Sequence, residues 1–194
     1  MAAQKPKYIL SLDWETSGST FGSLEQTTSQ YQGVSFGAVV ADTETLEIVD
    51  TIYEEIQLNP KYGWSPEAEK IHGLSLAHLT ANGVTQEQAA VSLGSLILKY
   101  FGNTPVVFAG HNVEFDIAFT KQLMDQFGCM FEISHRKIDT AGIGFAMFNI
   151  MKSDELYEFL GLPERSAHNA LEDAIYTIES LKTIRQLMNA ALGV

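Results

Sequence analysis

An apolar run near the amino terminus reads YILSLDWET over residues 8–16. The first five of these residues have the character of a buried strand, and the carboxylates Asp13 and Glu15 follow at alternate positions. Side chains two residues apart in an extended segment share one face, so both carboxylates should point the same way at the end of this strand. An isolated pair of this kind is most often a solvated strand end, but the two charges repel each other unless a cation lies between them.

The segments after this strand predict a mixed sheet covered by helices. The polar residues 17–33 are typical of a long loop, and residues 34–41 and 46–58 are two strands joined by a polar hairpin turn. Thr85 and Gln88 form a capping-box pattern at the start of a helix, and helices then alternate with short apolar strands. Hairpin strands followed by alternating strands and helices predict an α/β three-layer sandwich.

Composition predicts a folded chain with an acidic surface. The 194 residues include 24 Asp and Glu but only 12 Lys and Arg, which gives a formal charge of −12. This length fits one domain spanning residues 1–194, and 45% hydrophobic residues are enough for a full core. Because capture of a long nucleic acid or an anionic membrane needs clustered basic residues, the charge argues against both.

Cysteine content and hydropathy bear on the compartment. A single cysteine, Cys129, excludes an intramolecular disulfide and a cysteine-based zinc site. No apolar stretch approaches the roughly 20 residues that span a bilayer, and the amino terminus lacks the apolar region of a signal peptide. We therefore expect a cytoplasmic protein without a membrane partner.

Two later segments add further acidic residues and a histidine. Residues 109–116 read AGHNVEFD, and residues 168–173 read HNALED. Asp116 and Asp173 lie near the starts of predicted helices, where a carboxylate commonly complements the positive helix end. His168 lies just before the last helix, where an exposed or capping role is the common one. Each segment is weak evidence by itself.

Together, the three segments resemble the D-x-E-T, H-N-x-x-F-D and H-x-A-x-x-D motifs of the DEDDh 3′→5′ exonucleases. This family includes proofreading subunits of replicative polymerases, ribonuclease T and oligoribonuclease. The sequence IHGL at residues 71–74 is similar to another step of the family pattern, and the resemblance covers about residues 8–187. It implies an RNase H-like three-layer sandwich with a mixed five-stranded sheet.

The resemblance also implies a reaction and a set of ligands. Two divalent cations, Mg²⁺ or Mn²⁺, would be held by the four matching carboxylates: Asp13, Glu15, Asp116 and Asp173. Oxygen ligands suit these hard cations, and four negative charges balance two divalent ions. His168 would act as the general base, because an imidazole accepts a proton at neutral pH. The product would be nucleoside 5′-monophosphates released from 3′ ends of single-stranded DNA or RNA.

Contacts to the substrate are implied at five positions. They are Trp14, Thr16, Leu74, Asn112 and Phe115. Two of these have a packing alternative: Phe115 fits a core position of its helix, and Trp14 should point away from the carboxylates and pack on a neighbouring helix. Asp139 is expected to cap a helix rather than bind metal.

Other functions stay open on the sequence alone. DNA is favoured over RNA as the substrate, and a homodimer or a polymerase partner is compatible with the resemblance. The main alternative is a nuclease or proofreading subunit of a larger polymerase or repair assembly that supplies the grip on DNA. A catalytically silent binding module is disfavoured, because it would have no use for the repulsion among four carboxylates. A phosphodiesterase for small nucleotides is chemically close.

Overall fold

The computed structural model describes residues 6–164 and 168–193 of the chain. Within them, one mixed sheet holds five strands. The strands are β1 (Tyr8–Thr16), β2 (Gly33–Asp42), β3 (Ile48–Glu55), β4 (Phe108–Gly110) and β5 (Ile138–Asp139). Their spatial order is β3-β2-β1-β4-β5, which places the first strand of the chain at the centre of the sheet.

Helices cover both faces of the sheet. They are α1 (Leu24–Gln30), α2 (Pro66–His72), α3 (Leu76–Asn82), α4 (Gln86–Phe101), α5 (Val113–Gln126), α6 (Thr140–Phe148), α7 (Ser153–Phe159) and α8 (Ala170–Leu192). This architecture confirms the predicted α/β sandwich with a mixed five-stranded sheet. Among the described helices, none has the length and apolar character that crossing a membrane requires.

Strand β1 is buried on both faces, which explains its continuous apolar run. Leu10 and Leu12 pack in the larger core, between the sheet and helices α4 and α5. Ile9 packs in the second core, between the sheet and α8. On the same face Ser11 donates a hydrogen bond to the carbonyl of Ala174 in α8, at 2.8 Å. The central strand is therefore held by a helical layer on each side.

Strand directions bring the motif-bearing segments to one edge of the sheet. Strand β2 is antiparallel to β1 and β3, whereas β4 is parallel to β1 and to β5. The carboxyl ends of β1, β3, β4 and β5 therefore lie at the same edge, together with the start of β2. Segments leaving the sheet at this edge begin the loops and helices that carry all three motifs.

Two local expectations have clear outcomes. Thr85 and Gln88 form the predicted capping box at the start of α4, with backbone-to-side-chain distances of 2.9 and 3.2 Å. The expectation of a loop throughout residues 17–33 was wrong, because α1 lies within it. Helix α1 is short and largely exposed, so it lacks an apolar stripe, but Ser23 and Gln26 form a capping box of their own.

Close packing between β2 and α8 predicts the effect of a small substitution. A Cβ atom at Gly37 would overlap the backbone of Leu171, so Gly37→Ala must push α8 away from the sheet. We expect Gly37→Ala to lower the free energy of unfolding by about 1–3 kcal/mol, as overpacking typically does. Urea denaturation measures this loss.

The control for this variant is Gly142→Ala in α6. A Cβ there meets nothing within 4 Å, and alanine favours a helix more than glycine does. Gly142→Ala should therefore leave the stability unchanged or slightly raised. Equal stability of the two variants would contradict the close approach of α8 to β2.

Candidate active site

A cavity of about 190 Å³ opens at the edge of the sheet where the motif segments meet. Its walls come from the end of β1, the start of α5, helix α7 and the start of α8. The lining residues are Asp13, Trp14, Glu15, His111, Asn112, Phe115, Asp116, Ser153, Tyr157, His168 and Asp173. Segments up to 160 residues apart in the sequence thus share one small polar cavity.

Most of the predicted site residues meet in this cavity. All four carboxylates and His168 line it, as do three of the five predicted substrate contacts. Thr16 and Leu74 do not line it, although Thr16 directly follows Glu15 on β1. Three other lining residues were not among the predicted site residues: His111, Ser153 and Tyr157.

Asp116 lies in the first turn of α5 and is only 3% exposed. Its Oδ1 accepts a hydrogen bond from the backbone N–H of Trp14 at 3.0 Å, which ties α5 to β1. Burial raises the pKa of this carboxyl well above its usual range, and the negative charges of Glu15 and Asp139 act in the same direction. A bound cation would offset both effects, because it favours the ionised form.

The side chain of Trp14 is 4% exposed and packs in the larger core. Its indole N–H donates to Thr120 Oγ1 of α5 at 3.0 Å, and its ring lies 4.9 Å from that of Phe36. This confirms the packing on a neighbouring helix that its position on the strand predicted. Trp14 thereby holds the end of β1 against α5 beside the cavity.

Asp139 acts as a cap for two helices, as expected. Its carboxylate accepts hydrogen bonds from the backbone N–H groups of Asn112 and Val113 at the start of α5, at 3.2 and 3.1 Å. It also accepts the N–H of Ala141 in α6 at 2.9 Å. Asn112 itself has a positive φ of 64°, so its side chain does not cap α5. The αL turn and the shared cap set the direction of α5, and with it the position of Asp116.

His111 links the cavity wall to helix α6 and the segment after it. Its Nδ1 lies 3.0 Å from Thr140 Oγ1, and its Nε2 lies 2.7 Å from the carbonyl oxygen of Met151. Both ring nitrogens are therefore engaged in structural contacts. The motif H-N-x-x-F-D already contained this histidine, so its presence in the wall was visible in the sequence.

The start of α8 carries Asp173 and places His168 beside it. Asn169 caps the helix, since its Oδ1 accepts the backbone N–H groups of Leu171 and Glu172, both at 3.1 Å. His168 has φ 51°, in the left-handed region that non-glycine residues seldom adopt. Such a conformation costs on the order of 1 kcal/mol or more and is frequent at functional sites.

The donor atoms in the cavity suit a divalent cation. Ligand atoms of Glu15, His168 and Asp173 all lie within 4.8 Å of one another. Asp13 and Asp116 line the same cavity, and no lysine or arginine of the described segments does. Clustered carboxylate oxygens provide the hard, anionic donors that Mg²⁺ and Mn²⁺ favour.

Comparison with known proteins agrees with the fold and with the motifs. The family model described as Exonuclease (RNase_T) matches residues 10–181 of the chain. No curated protein sequence matches the chain. The matched span contains all three motif segments.

Several solved structures share the fold. E. coli exonuclease I in its zinc-bound complex with single-stranded DNA is 18% identical with a TM-score of 0.75, over 94% of this chain and 41% of that one. Its complex with a dT13 oligonucleotide gives 18% identity and a TM-score of 0.75, over 96% of this chain and 42% of that one. The chain thus spans about two fifths of exonuclease I.

A third structure is similar over almost its whole length. The nuclease domain of 3′hExo, a DEDDh family member bound to rAMP, is 17% identical with a TM-score of 0.68, over 95% of this chain and 94% of that one. The exonuclease model spans most of the chain, and the three DEDDh motifs meet in one cavity. The chain therefore belongs to the RNase_T exonuclease family.

Proposed function

We propose that the protein is a metal-dependent 3′→5′ exonuclease that releases nucleoside 5′-monophosphates from single-stranded DNA or RNA. The observation that supports this best is the meeting of the four motif carboxylates and His168 in one cavity. Two similar structures add support, since E. coli exonuclease I was solved with single-stranded oligonucleotides and 3′hExo with the nucleoside monophosphate rAMP.

The metal ligands in this proposal are the four carboxylates of the cavity: Asp13, Glu15, Asp116 and Asp173. They would hold two divalent cations, Mg²⁺ or Mn²⁺. When bound, such a pair stabilises the charge that develops on phosphate oxygens during an in-line displacement. The carboxylates come from the central strand and from the first turns of two helices packed on it, so their spacing is set by the rigid part of the fold.

His168 is the proposed general base. It would take a proton from the attacking water, whose oxygen forms a bond to the phosphorus of the last phosphodiester. The bond between phosphorus and the 3′ oxygen of the preceding nucleotide then breaks. That oxygen leaves with the shortened chain and takes up a proton, and the phosphate stays on the released nucleoside 5′-monophosphate.

Residues at the mouth of the cavity would receive the terminal nucleotide. Phe115 is half-buried, with its ring 4.9 Å from that of Phe119, so part of its face can stack on a base. Asn112 is exposed at the start of α5 and offers an amide. Trp14 lines the wall mainly as a packed side chain. Thr16 and Leu74 would contact the nucleotide from beyond the cavity.

The acidic surface is compatible with binding at a chain end. Recognition of an end needs a few placed contacts and metal ions that attract phosphate, rather than a long basic track. We favour DNA over RNA as the substrate and a single exonuclease domain over residues 1–194. The proposed compartment is the cytoplasm, where the thiol of Cys129 stays reduced. Sedimentation of the protein alone and with a polymerase distinguishes a homodimer from a polymerase complex.

The proposed reaction is tested by analysis of its products. Single-stranded DNA and RNA of equal sequence are digested with Mg²⁺ in water enriched in ¹⁸O, and the products are identified by mass spectrometry. We expect nucleoside 5′-monophosphates that each carry one ¹⁸O in the phosphate. Their release should be faster from DNA than from RNA. Nucleoside 3′-monophosphates, or dinucleotides as the first products, would refute this assignment.

Metal binding should be visible as thermal stabilisation. A ligand present at 100 times its Kd stabilises the native state by about 2.7 kcal/mol, which raises the Tm of a chain this size by roughly 5–10 °C. We expect this rise with Mg²⁺ or Mn²⁺ and its reversal by EDTA. Glu44→Gln, which alters an exposed carboxylate outside the cavity, should show the same rise. A Tm that is independent of divalent metal would argue against the site.

A further inference from the structure

His72 ends helix α2 and makes a specific contact with the turn that follows. The backbone N–H of Leu74 donates to His72 Nδ1 at 3.0 Å, across Gly73, whose φ is +73°. His72 is only 8% exposed although α2 is a short surface helix. Because Nδ1 accepts a hydrogen bond from the backbone N–H of Leu74, a neutral ring carries its own proton on Nε2.

The other side of the ring faces the end of β1. Burial lowers the pKa of His72, and the nearby His168 lowers it further. Glu69 and the backbone of Thr16 act in the opposite direction. The backbone of Thr16, at the end of β1, is therefore within interaction range of the His72 ring. Its Nε2 is buried and has no hydrogen-bond partner of good geometry among the described residues.

Further contacts hold this histidine in place. The ring of Trp64 packs edge-on at 6.0 Å, and its indole N–H donates to Glu69 on α2 at 2.9 Å. The N–H of Ser65 donates to the carbonyl of Ser17 at 2.7 Å, which ties the start of α2 to the segment directly after β1. The ring thus lies in a fixed position between β1 and the turn at Leu74.

We propose that His72 is a positioning residue, which fixes the Leu74 turn relative to Thr16 so that both can receive the terminal nucleotide. This inference rests on the proposed exonuclease function. Thr16 and Leu74 are the two expected substrate contacts that do not line the cavity, and the His72 ring accepts the N–H of Leu74 and interacts with the backbone of Thr16. Leu74 is half-buried, and Ile71 and Leu76 on either side of it are exposed.

Three substitutions separate the hydrogen bond from the bulk of the ring. His72→Asn places an amide oxygen near the position of Nδ1, where it can accept the N–H of Leu74. His72→Gln places its amide near Nε2 instead, and His72→Phe keeps only the ring volume. We expect His72→Phe and His72→Gln to raise the KM for a single-stranded oligonucleotide about fivefold with kcat within twofold, which is the effect of one hydrogen bond. His72→Asn should restore the KM to within twofold of the native value.

The matched control is His135→Phe, because His135 lies before β5 at the opposite edge of the sheet. His135→Phe should change neither KM nor kcat. Dissociation constants for a nucleoside 5′-monophosphate, measured by calorimetry, should follow the KM values. If His72→Phe does not fold, the comparison of the asparagine and glutamine variants decides.

Each outcome bears on one of the two proposals. A native protein that degrades oligonucleotides, with an unchanged KM in His72→Gln, would overturn the positioning role and leave the exonuclease function standing. A kcat lowered 100-fold at constant KM would also overturn it, because His72 would then act in the reaction itself. A native protein that cleaves no oligonucleotide would instead overturn the proposed function.

Discussion

Replacement of Asp116 by asparagine is expected to lower exonuclease turnover by about 10³-fold and, at the same time, to stabilise the metal-free protein. The loss of activity follows from the proposed role of Asp116 in holding metal, since removal of one group that stabilises transition-state charge typically costs 10²–10³-fold or more. The variant should also lose most of the Tm rise that Mg²⁺ produces in the native protein.

The gain in stability follows from the burial of this carboxyl. Asp116 has a pKa that burial raises in the folded protein, so its ionised form opposes folding. For an acid with a raised folded pKa, this cost is absent below the pKa of the unfolded chain and is complete above the folded pKa. The asparagine side chain of the variant bears no charge, and its amide oxygen can still accept the N–H of Trp14. The stabilisation should therefore be largest at neutral or alkaline pH and vanish near pH 3.

The control for Asp116→Asn lies on the same helix. Asp125 is exposed in the last turn of α5, so Asp125→Asn should leave turnover, metal response and the stability of the metal-free protein nearly unchanged. Thermal melts with EDTA and with Mg²⁺, over a series of pH values, provide the comparison. An Asp116→Asn variant that is active, or that is less stable than the native protein in EDTA, would contradict the site described above.

Replacement of His168 by alanine is expected to reduce kcat by about 10²–10⁴-fold with a smaller change in KM. A general base contributes this much when it is placed to accept the proton of the attacking water. The carboxylates remain in this variant, so most of the Tm rise with Mg²⁺ should persist. His78→Ala is a suitable control, because His78 is exposed on α3 and pairs with Glu55.

Two results would change the assignment of His168. Near-native turnover in His168→Ala would remove it from the reaction. A complete loss of the Tm rise would identify His168 as a metal ligand, a role that its closeness to Glu15 and Asp173 permits. Measurement of kcat and of the metal-dependent Tm on the same preparation distinguishes these cases.

Residue patterns predicted the sheet better than the layers around it. The apolar run at residues 8–12 marks a central strand, because Leu10 and Ile9 each find a core on their own side of the sheet. Helix α1 was missed, since its stability comes from a capping box and from contacts with α5 rather than from an apolar stripe. Helix α7 begins after Lys152, and no side-chain cap marks its start.

The site was predictable where it follows from strand direction. Asp13, Glu15 and Asp116 sit at or after the carboxyl ends of parallel strands, so the topology alone brings them together. Ser153 and Tyr157 reach the cavity from α7, whose place depends on packing against α8, where Tyr157 contacts Tyr176 at 5.3 Å. Packing of this kind leaves no short pattern in the sequence.

The central claim is stepwise hydrolysis from the 3′ end, and a time course on a single-stranded oligonucleotide labelled at its 5′ end tests it most directly. With Mg²⁺, the native protein should produce a ladder of labelled products that shorten one nucleotide at a time. The ladder should be absent when EDTA is added and when Asp116→Asn replaces the native protein. Immediate release of a labelled mononucleotide, or cuts at internal positions, would contradict the account.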